Sequence, residues 1–282
     1  MNIIVLIFLI MFMVLRAAGL GVSIDFYYDS RDKKFIYLIL CWSFWIIANF
    51  FPILADTVGI GGLMELFLVL NIIFVVLGIT FLCWGFFAYY MNVPFKLMIT
   101  LIVLFITIPF LLFILINYII AIAFSTVLVN ALLLSTYILP PIKKKAFFKY
   151  IGKTIRWYYA TILTLVLYFP VNILIFSLGY RYGLYNAENL FVIILYYIPG
   201  IASTLLLIIL LVHLEYTISS REKYKLKDKY SHNLGNIMQA ITSAYELYSL
   251  KIEGVKESTE LDNLLKSKIT EAAKLIKDIR EL

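Results

Sequence analysis

Seven long apolar runs constrain the fold of this chain more than any other feature of its sequence. They lie near residues 2–24, 35–55, 63–88, 95–116, 118–139, 157–178 and 190–213. A helix needs about 20 apolar residues to cross a hydrocarbon core of about 30 Å. We therefore predict seven transmembrane helices within residues 1–213.

Apolar length alone does not decide how the fourth, fifth and first runs are arranged. The fourth and fifth runs are almost continuous, but together they are too long for one span, and Pro109 and Asn117 offer places to bend. The first run lacks a basic leader and a small-residue cleavage site, so we expect a retained span rather than a signal peptide.

Composition excludes the soluble globular class. The chain is 63% hydrophobic with a mean hydropathy of +0.96, whereas a soluble domain is about half apolar. Residues 1–213 hold 12 Lys or Arg against 6 Asp or Glu, and the remainder holds 12 against 11. Because the positive surplus belongs to membrane loops, we expect no nucleic-acid partner.

Cys41 and Cys83 lie inside apolar runs, which is typical of packing residues.

Positive charge predicts the orientation of the spans. Cytoplasmic loops are enriched in Lys and Arg, and one set of alternate loops carries only Arg181. The other set carries Arg31, Lys33, Lys34, Lys96, Lys143, Lys144, Lys145, Lys149, Lys153 and Arg156. We therefore predict a multi-pass cell-membrane protein with its N-terminus outside and its C-terminus in the cytoplasm. The basic segment 143–156 has two interpretations, a site for anionic membrane lipid and a simple positive-inside loop.

A ligand of this membrane domain would occupy a cavity among the outer halves of the helices. The candidate residues are Asn49, Asp56, Glu65, Asn71, Trp84, Asn172 and Arg181. Each asparagine has an alternative role as an interhelical hydrogen-bonding residue. The alternative for Asp56 and Glu65 is that they simply lie at the water-exposed end of a span. Arg16 lies several residues inside the first span, and we expect its side chain to snorkel to the cytoplasmic surface.

Other membrane functions lack the residues they require. Segment 190–213 has no lysine for a retinal Schiff base, and few acidic residues lie at mid-membrane for a proton pump. The spans contain no clustered acids, histidines or metal-ligand spacing, so we expect neither a metal site nor a lipid-modifying enzyme.

The last fifty residues have a different pattern from the membrane half. Apolar residues recur at heptad-like spacing along two segments. They are Tyr230, Leu234, Ile237, Ile241, Ala244 and Tyr248, and then Leu261, Leu265, Ile269, Ala272, Ile276 and Ile279. A break near Glu253-Gly254 predicts an antiparallel helical hairpin, and two copies would close a four-helix bundle. We therefore expect a homodimer.

The histidine segment of this hairpin resembles a known family. The run Ser231-His232-Asn233-Leu234-Gly235-Asn236, followed by a second helix that contains residues 272–282, is similar to the dimerisation and histidine phosphotransfer domain of sensor histidine kinases. It is closest to the archaeal-type branch, whose histidine box reads His-Asp-x-x-Asn-Ile. Seven-helix sensor regions also occur at the front of some of these kinases.

The resemblance implies specific roles and partners. His232 would be the phosphoacceptor, Asn236 would orient water for phosphatase action, and Asn233 stands where the family usually has an acidic residue that polarises the ring. A response regulator would receive the phosphate. In this family ATP and magnesium bind to an ATP-binding domain, which we expect to be separate from this chain or missing from it. We therefore do not expect the chain to phosphorylate itself without that domain.

Together these patterns predict an all-α protein in three parts. Residues 1–213 would form a seven-helix sensor domain, 214–229 a signalling-helix linker and 230–282 the dimerisation hairpin. Pro199-Gly200 predicts a kink or hinge, after which one helix could continue to His232. The alternative is a receptor or transporter-like membrane protein whose hairpin serves only to oligomerise it.

Overall fold

The computed structural model is helical throughout the part of the chain that it describes, residues 3–58, 61–89, 94–143, 147–177, 189–250 and 258–280. The α-helices in these ranges are α1 (Ile3–Ser30), α2 (Lys33–Val58), α3 (Gly62–Ala88), α4 (Phe95–Leu115), α5 (Tyr118–Lys143), α6 (Phe147–Ile151), α7 (Ile155–Ser177), α8 (Leu190–Leu250) and α9 (Ser258–Arg280). A single 3₁₀ turn, Gly152–Thr154, joins α6 to α7. The all-α prediction is therefore confirmed for these residues.

Each predicted apolar segment coincides with a helix. Within the described ranges, six helices are long and apolar enough to cross a membrane, namely α1 to α5 and the helix that begins at Leu190. The chain is thus consistent with a multi-pass membrane protein. Helix α7 is not among the six, so the seventh span and the orientation of the termini stay predictions.

The division between the fourth and fifth apolar runs lies where the sequence indicated. Helix α4 ends at Leu115 and α5 begins at Tyr118. The side-chain oxygen of Asn117 accepts a hydrogen bond from the backbone N–H of Ile120 at 2.9 Å, which is the role of an N-cap residue. Pro109 remains inside α4, so the break depends on the cap rather than on the proline.

The chain divides into two compact units, Met1–Leu214 and Glu215–Leu282. In the first unit, α2 packs against α1 and α3, and α3 also packs against α4 and α5. A separate apolar cluster joins α1 to α8, with Val5, Leu9 and Phe12 buried against Ile193 and Tyr197. The predicted break near Glu253-Gly254 lies outside the described residues.

Two tryptophans of α2 pack on glycines of the neighbouring helices. A Cβ atom built on Gly19 of α1 would lie 2.6 Å from the ring of Trp42, and one on Gly78 of α3 would lie 2.3 Å from the ring of Trp45. The indole nitrogens are also held, because Trp42 donates to Ser23 Oγ at 3.1 Å and Trp45 to the Val75 carbonyl at 3.2 Å. The absence of a side chain at these glycines lets α1 and α3 approach α2 closely.

We predict that Gly78→Ala destabilises the protein and that Gly21→Ala does not. The added methyl group of Gly78→Ala meets an indole that a hydrogen bond holds in place, and overpacking of this kind costs about 1–3 kcal/mol. A Cβ at Gly21 meets nothing within 4 Å, so it serves as the matched control. Thermal unfolding of the purified protein in detergent measures both variants, and equal melting temperatures for the two would contradict the packing argument.

Candidate functional site

Arg16 lies near the middle of α1 and points into the helical bundle. Its Nη1 donates to the Trp45 carbonyl at 2.7 Å and to Asn49 Oδ1 at 2.7 Å. The guanidinium carbon also lies 4.9 Å from the centre of the Phe12 ring, within cation–π range.

The prediction that Arg16 snorkels to the cytoplasmic surface is wrong. At 1.5 Å per residue, either end of α1 is about 20 Å away, farther than the side chain reaches, whereas α2 offers two acceptors beside it.

A cavity of about 200 Å³ adjoins this arginine inside the first unit. Residues from α1, α2, α3, α5, α7 and α8 line it. Its polar lining consists of Arg16, Asn49, Asn71, Thr126, Asn130, Tyr137, Thr161, Tyr168, Tyr196, Tyr197, Ser203 and Thr204. Arg16 is the cationic side chain of the described lining, which contains no aspartate or glutamate.

Asn49 and Asn71, both predicted ligand residues, lie in the lining of this cavity. Both also make the interhelical bonds of the alternative interpretation, because Asn49 accepts from Arg16 and Asn71 Nδ2 donates to the Ala48 carbonyl at 2.7 Å. Asn49 is only 6% exposed, and its Nδ2 has no hydrogen-bond acceptor among the described residues. Since arginine only donates, the amide oxygen must face Arg16, and the orphaned Nδ2 is therefore a true donor.

The other predicted ligand residues do not join the described lining. Glu65 lies half-buried in the first turn of α3, Asp56 is exposed near the end of α2, and Trp84 is buried in α3. The side chain of Asn172 and the whole of Arg181 lie outside the described residues. The structure therefore brings two of the predicted candidates together and leaves the rest apart.

Several lining residues were not predicted from the sequence. Tyr196, Ser203 and Thr204 of α8 face the cavity together with Asn130 and Tyr168. The two hydroxyls donate to the Gly200 carbonyl, Ser203 at 2.8 Å and Thr204 at 2.9 Å, as Ser and Thr commonly do inside helices. The one available signal was the depth of Arg16 in α1, since a charged residue at mid-span predicts polar neighbours from other helices.

A second, apolar pocket of about 160 Å³ lies between α5 and α7. It shares Asn130, Leu133, Tyr137, Leu165 and Tyr168 with the first cavity, so the two adjoin. Its remaining lining residues are Leu134, Ile138, Ile162 and Val166. Ile138 is 53% and Val166 51% exposed, which means that this pocket reaches the outer surface of the helical bundle.

His232 occupies a second candidate site, in the unit Glu215–Leu282. Its side chain is exposed on α8, and Asn236, one helical turn further on, places its side-chain nitrogen 3.3 Å from His232 Nδ1. Asn233 is half-buried, and no hydrogen bond joins it to the ring among the described residues. The structure thus brings two of the three predicted residues of the histidine box together.

Comparison with known proteins adds no assignment to these two sites. A scan against family models, a search of curated proteins and a search of solved structures each found no match to this chain.

We predict that Arg16→Met and Asn49→Leu are coupled. Asn49→Leu removes one acceptor of a half-buried guanidinium, and the loss of such a partner costs about 1–3 kcal/mol. Removing both groups together should cost less than the sum of the single losses, by about 0.5–3 kcal/mol. Thermal or denaturant unfolding of the four proteins in the cycle gives this difference.

The matched control pairs Arg16→Met with Thr80→Val. Thr80 is equally buried in the same unit, but its hydroxyl donates to the Val76 carbonyl of its own helix at 2.8 Å. Substitutions of side chains that do not share a hydrogen-bond partner usually add. Additive losses in the Arg16–Asn49 cycle as well would contradict the coupling.

Proposed function

We propose that this chain is the membrane sensor and phosphoacceptor part of a two-component signalling system, with His232 as the residue that accepts phosphate. The observation that carries the proposal is an exposed imidazole whose Nδ1 has an amide side chain one helical turn away. A phosphoacceptor must be reachable by a second domain and held in one ring orientation. The proposal also rests on the resemblance of residues 231–236 to the histidine box.

The Asn236 amide can select the ring tautomer. When its Nδ2 donates to Nδ1, the ring proton resides on Nε2, which then has no lone pair to offer. When the amide is turned over, Nδ1–H donates to Oδ1 and the Nε2 lone pair points outward. Nitrogen and oxygen of an amide are interchangeable in position, so the second arrangement keeps the same contact. We propose that it is the reactive one.

The chemical step then balances without a base on this chain. The Nε2 lone pair forms the N–P bond with the γ-phosphorus of Mg-ATP as the bond to the β,γ-bridging oxygen breaks and ADP leaves. The ring keeps its proton on Nδ1. An aspartate of a response regulator later attacks the phosphorus, and the N–P bond breaks to return neutral histidine. ATP and magnesium come from a kinase domain supplied in cis or in trans.

Helix α8 supports a route by which such a site could be regulated. The helix runs from Leu190 to Leu250 and contains Pro199 without ending there. Its residues Tyr196 to Leu207 contribute to the cavity wall, and the same helix carries His232 further along. We propose that a change of state at the cavity alters α8 and thereby the access of a kinase domain to His232.

A homodimer is the partner that we propose for the second unit. Ile237 and Ala272 are buried, whereas Ile269 and Ile276 of the predicted apolar seam remain 55% and 43% exposed. These two isoleucines are seven residues apart and therefore lie on one face of α9. An exposed apolar helix face is typical of an association surface, and a second hairpin with the same face would cover it.

We predict that His232→Gln abolishes phosphate acceptance and that His213→Gln does not. These are the two histidines of the chain, and His213 is half-buried and stacks on Trp157 at 5.4 Å between ring centres. The assay supplies a histidine-kinase ATP-binding domain and radiolabelled Mg-ATP to membranes that contain the full chain. Acid-labile label that persists in His232→Gln would refute the assignment and favour a hairpin that only oligomerises.

We predict that the pair Ile269→Lys and Ile276→Lys shifts the purified protein from dimer to monomer. Two like charges on each copy would face one another across the apolar seam, and burying them unpaired is unfavourable. The matched control is Thr270→Lys with Ala273→Lys, which adds the same charge at exposed positions of α9. Light scattering in detergent measures the mass, and dissociation by both pairs alike would indicate a non-specific charge effect.

A further inference from the structure

We infer that the cavity beside Asn49 binds a neutral long-chain lipid whose head group both accepts and donates hydrogen bonds, a primary fatty acid amide being the simplest member of that class. The head would lie in the cavity of about 200 Å³, and the tail would lie in the apolar pocket between α5 and α7. The role of this ligand as a signal rests on the proposed function, whereas its binding does not.

Asn49 supplies a hydrogen-bond donor to the cavity wall. Its side chain belongs to the lining and is only 6% exposed, and no described residue accepts from its Nδ2. Arg16 fixes the orientation of this amide, because Arg16 Nη1 donates to Asn49 Oδ1 at 2.7 Å. Buried donors in proteins are nearly always paired, so this one favours a ligand with an acceptor such as a carbonyl oxygen.

Four hydroxyl side chains of the lining provide the opposite kind of group. They belong to Thr126, Thr161, Ser203 and Thr204. Each of them donates its proton to a backbone carbonyl of its own helix at 2.8 to 2.9 Å. A hydroxyl has one proton and two lone pairs. While those bonds are kept, these oxygens can only accept from a ligand.

A head group that pairs with both parts of the wall must therefore accept and donate. A carboxylate or an ester has no proton for the hydroxyl oxygens, and an ammonium has no lone pair for Asn49. A carboxamide has one carbonyl oxygen and two N–H groups, and it carries no charge. The absence of charge also favours entry from the bilayer, because a charged group at this depth is costly.

The tail follows from the volumes of the two pockets. A dry cavity of about 150 Å³ holds benzene, so a cavity of about 200 Å³ admits a head and a few carbons. A longer chain must extend elsewhere, and the adjoining pocket of about 160 Å³ is lined mostly by leucine, isoleucine and valine. Because Ile138 and Val166 of that pocket are also exposed on the outside of the bundle, the tail can enter from the hydrocarbon of the bilayer.

The test measures saturable binding of tritiated palmitamide to the full chain in phosphatidylcholine nanodiscs, with protein-free nanodiscs to subtract partition into lipid. Methyl palmitate, palmitate, hexadecylammonium and butyramide serve as competitors. We expect the first three to bind at least about tenfold more weakly than palmitamide, because each lacks either the donor or the acceptor. Butyramide should also be weaker, because it lacks most of the tail.

Substitutions in the lining locate the head. The pair Thr161→Val and Thr204→Val removes two hydroxyl oxygens at nearly constant shape, and we expect it to weaken palmitamide about tenfold but to leave methyl palmitate unchanged, since an ester donates nothing to them. Thr80→Val is the matched control. The Thr80 hydroxyl also donates within its own helix, to the Val76 carbonyl, and Thr80 is in the described lining of neither pocket.

Two further substitutions locate the tail. Val166→Trp should fill the apolar pocket and weaken palmitamide but not butyramide. Val103→Trp is its matched control, since Val103 is similarly exposed on α4 and is in the described lining of neither pocket.

The wild-type comparison alone can overturn the inference, even where a variant fails to fold. Equal binding of palmitamide and methyl palmitate would exclude a role for the donor, and equal or tighter binding of palmitate or hexadecylammonium would exclude a neutral head. Equal binding of butyramide would exclude the tail pocket. Absence of saturable binding would mean that water, which also accepts and donates, fills the cavity instead.

His232→Gln should bind palmitamide as the wild type does. Failure of binding is thereby distinguished from failure of phosphotransfer, which is measured at His232.

Discussion

The first unit depends on a guanidinium placed at the centre of an apolar bundle. A cation at this depth is unfavourable unless polar groups from other helices surround it, and α2 provides two acceptors at 2.7 Å. Other consequences follow from that requirement. Asn49 must turn its oxygen towards Arg16, its nitrogen is then left without a described acceptor, and the helices around the charge enclose a polar cavity rather than a closed apolar core. The charged residue that makes this bundle costly to assemble is therefore also the one around which its polar side chains gather.

Close packing on α2 holds this arrangement in place. The rings of Trp42 and Trp45 occupy the space left by Gly19 and Gly78, and each indole nitrogen has its own acceptor. Trp45 acts twice, because its ring packs on α3 while its carbonyl accepts from Arg16. A displacement of α2 relative to α1 would therefore disturb the tryptophan packing and the arginine site together. The arginine site and the packing of α2 against its neighbours therefore depend on each other.

The second unit differs from the first because part of its apolar helix surface stays exposed. Ile237 and Ala272 are buried while Ile269 and Ile276 are exposed, a division that agrees with an association surface. His232 lies on the exposed part of α8 with Asn236 beside it. In the proposed mechanism this exposure is functional, because the imidazole must meet first a kinase domain and then a response regulator.

The sequence by itself determined the class of the fold, the approximate bounds of the apolar helices, the division between α4 and α5 at Asn117, and the spacing of His232 and Asn236. These features depend on local properties, namely the length of an apolar run, a cap residue and the helical repeat. Only the tertiary structure decided what surrounds Arg16. The sequence showed that the arginine lies deep in a span. Whether its side chain reaches the membrane surface or turns into the bundle depends on which helices lie beside it. Its acceptors on α2 are about thirty residues away in the chain. The cavity could not be predicted for the same reason. Its polar residues are spread over six helices, and only the packing of those helices turns them towards one another.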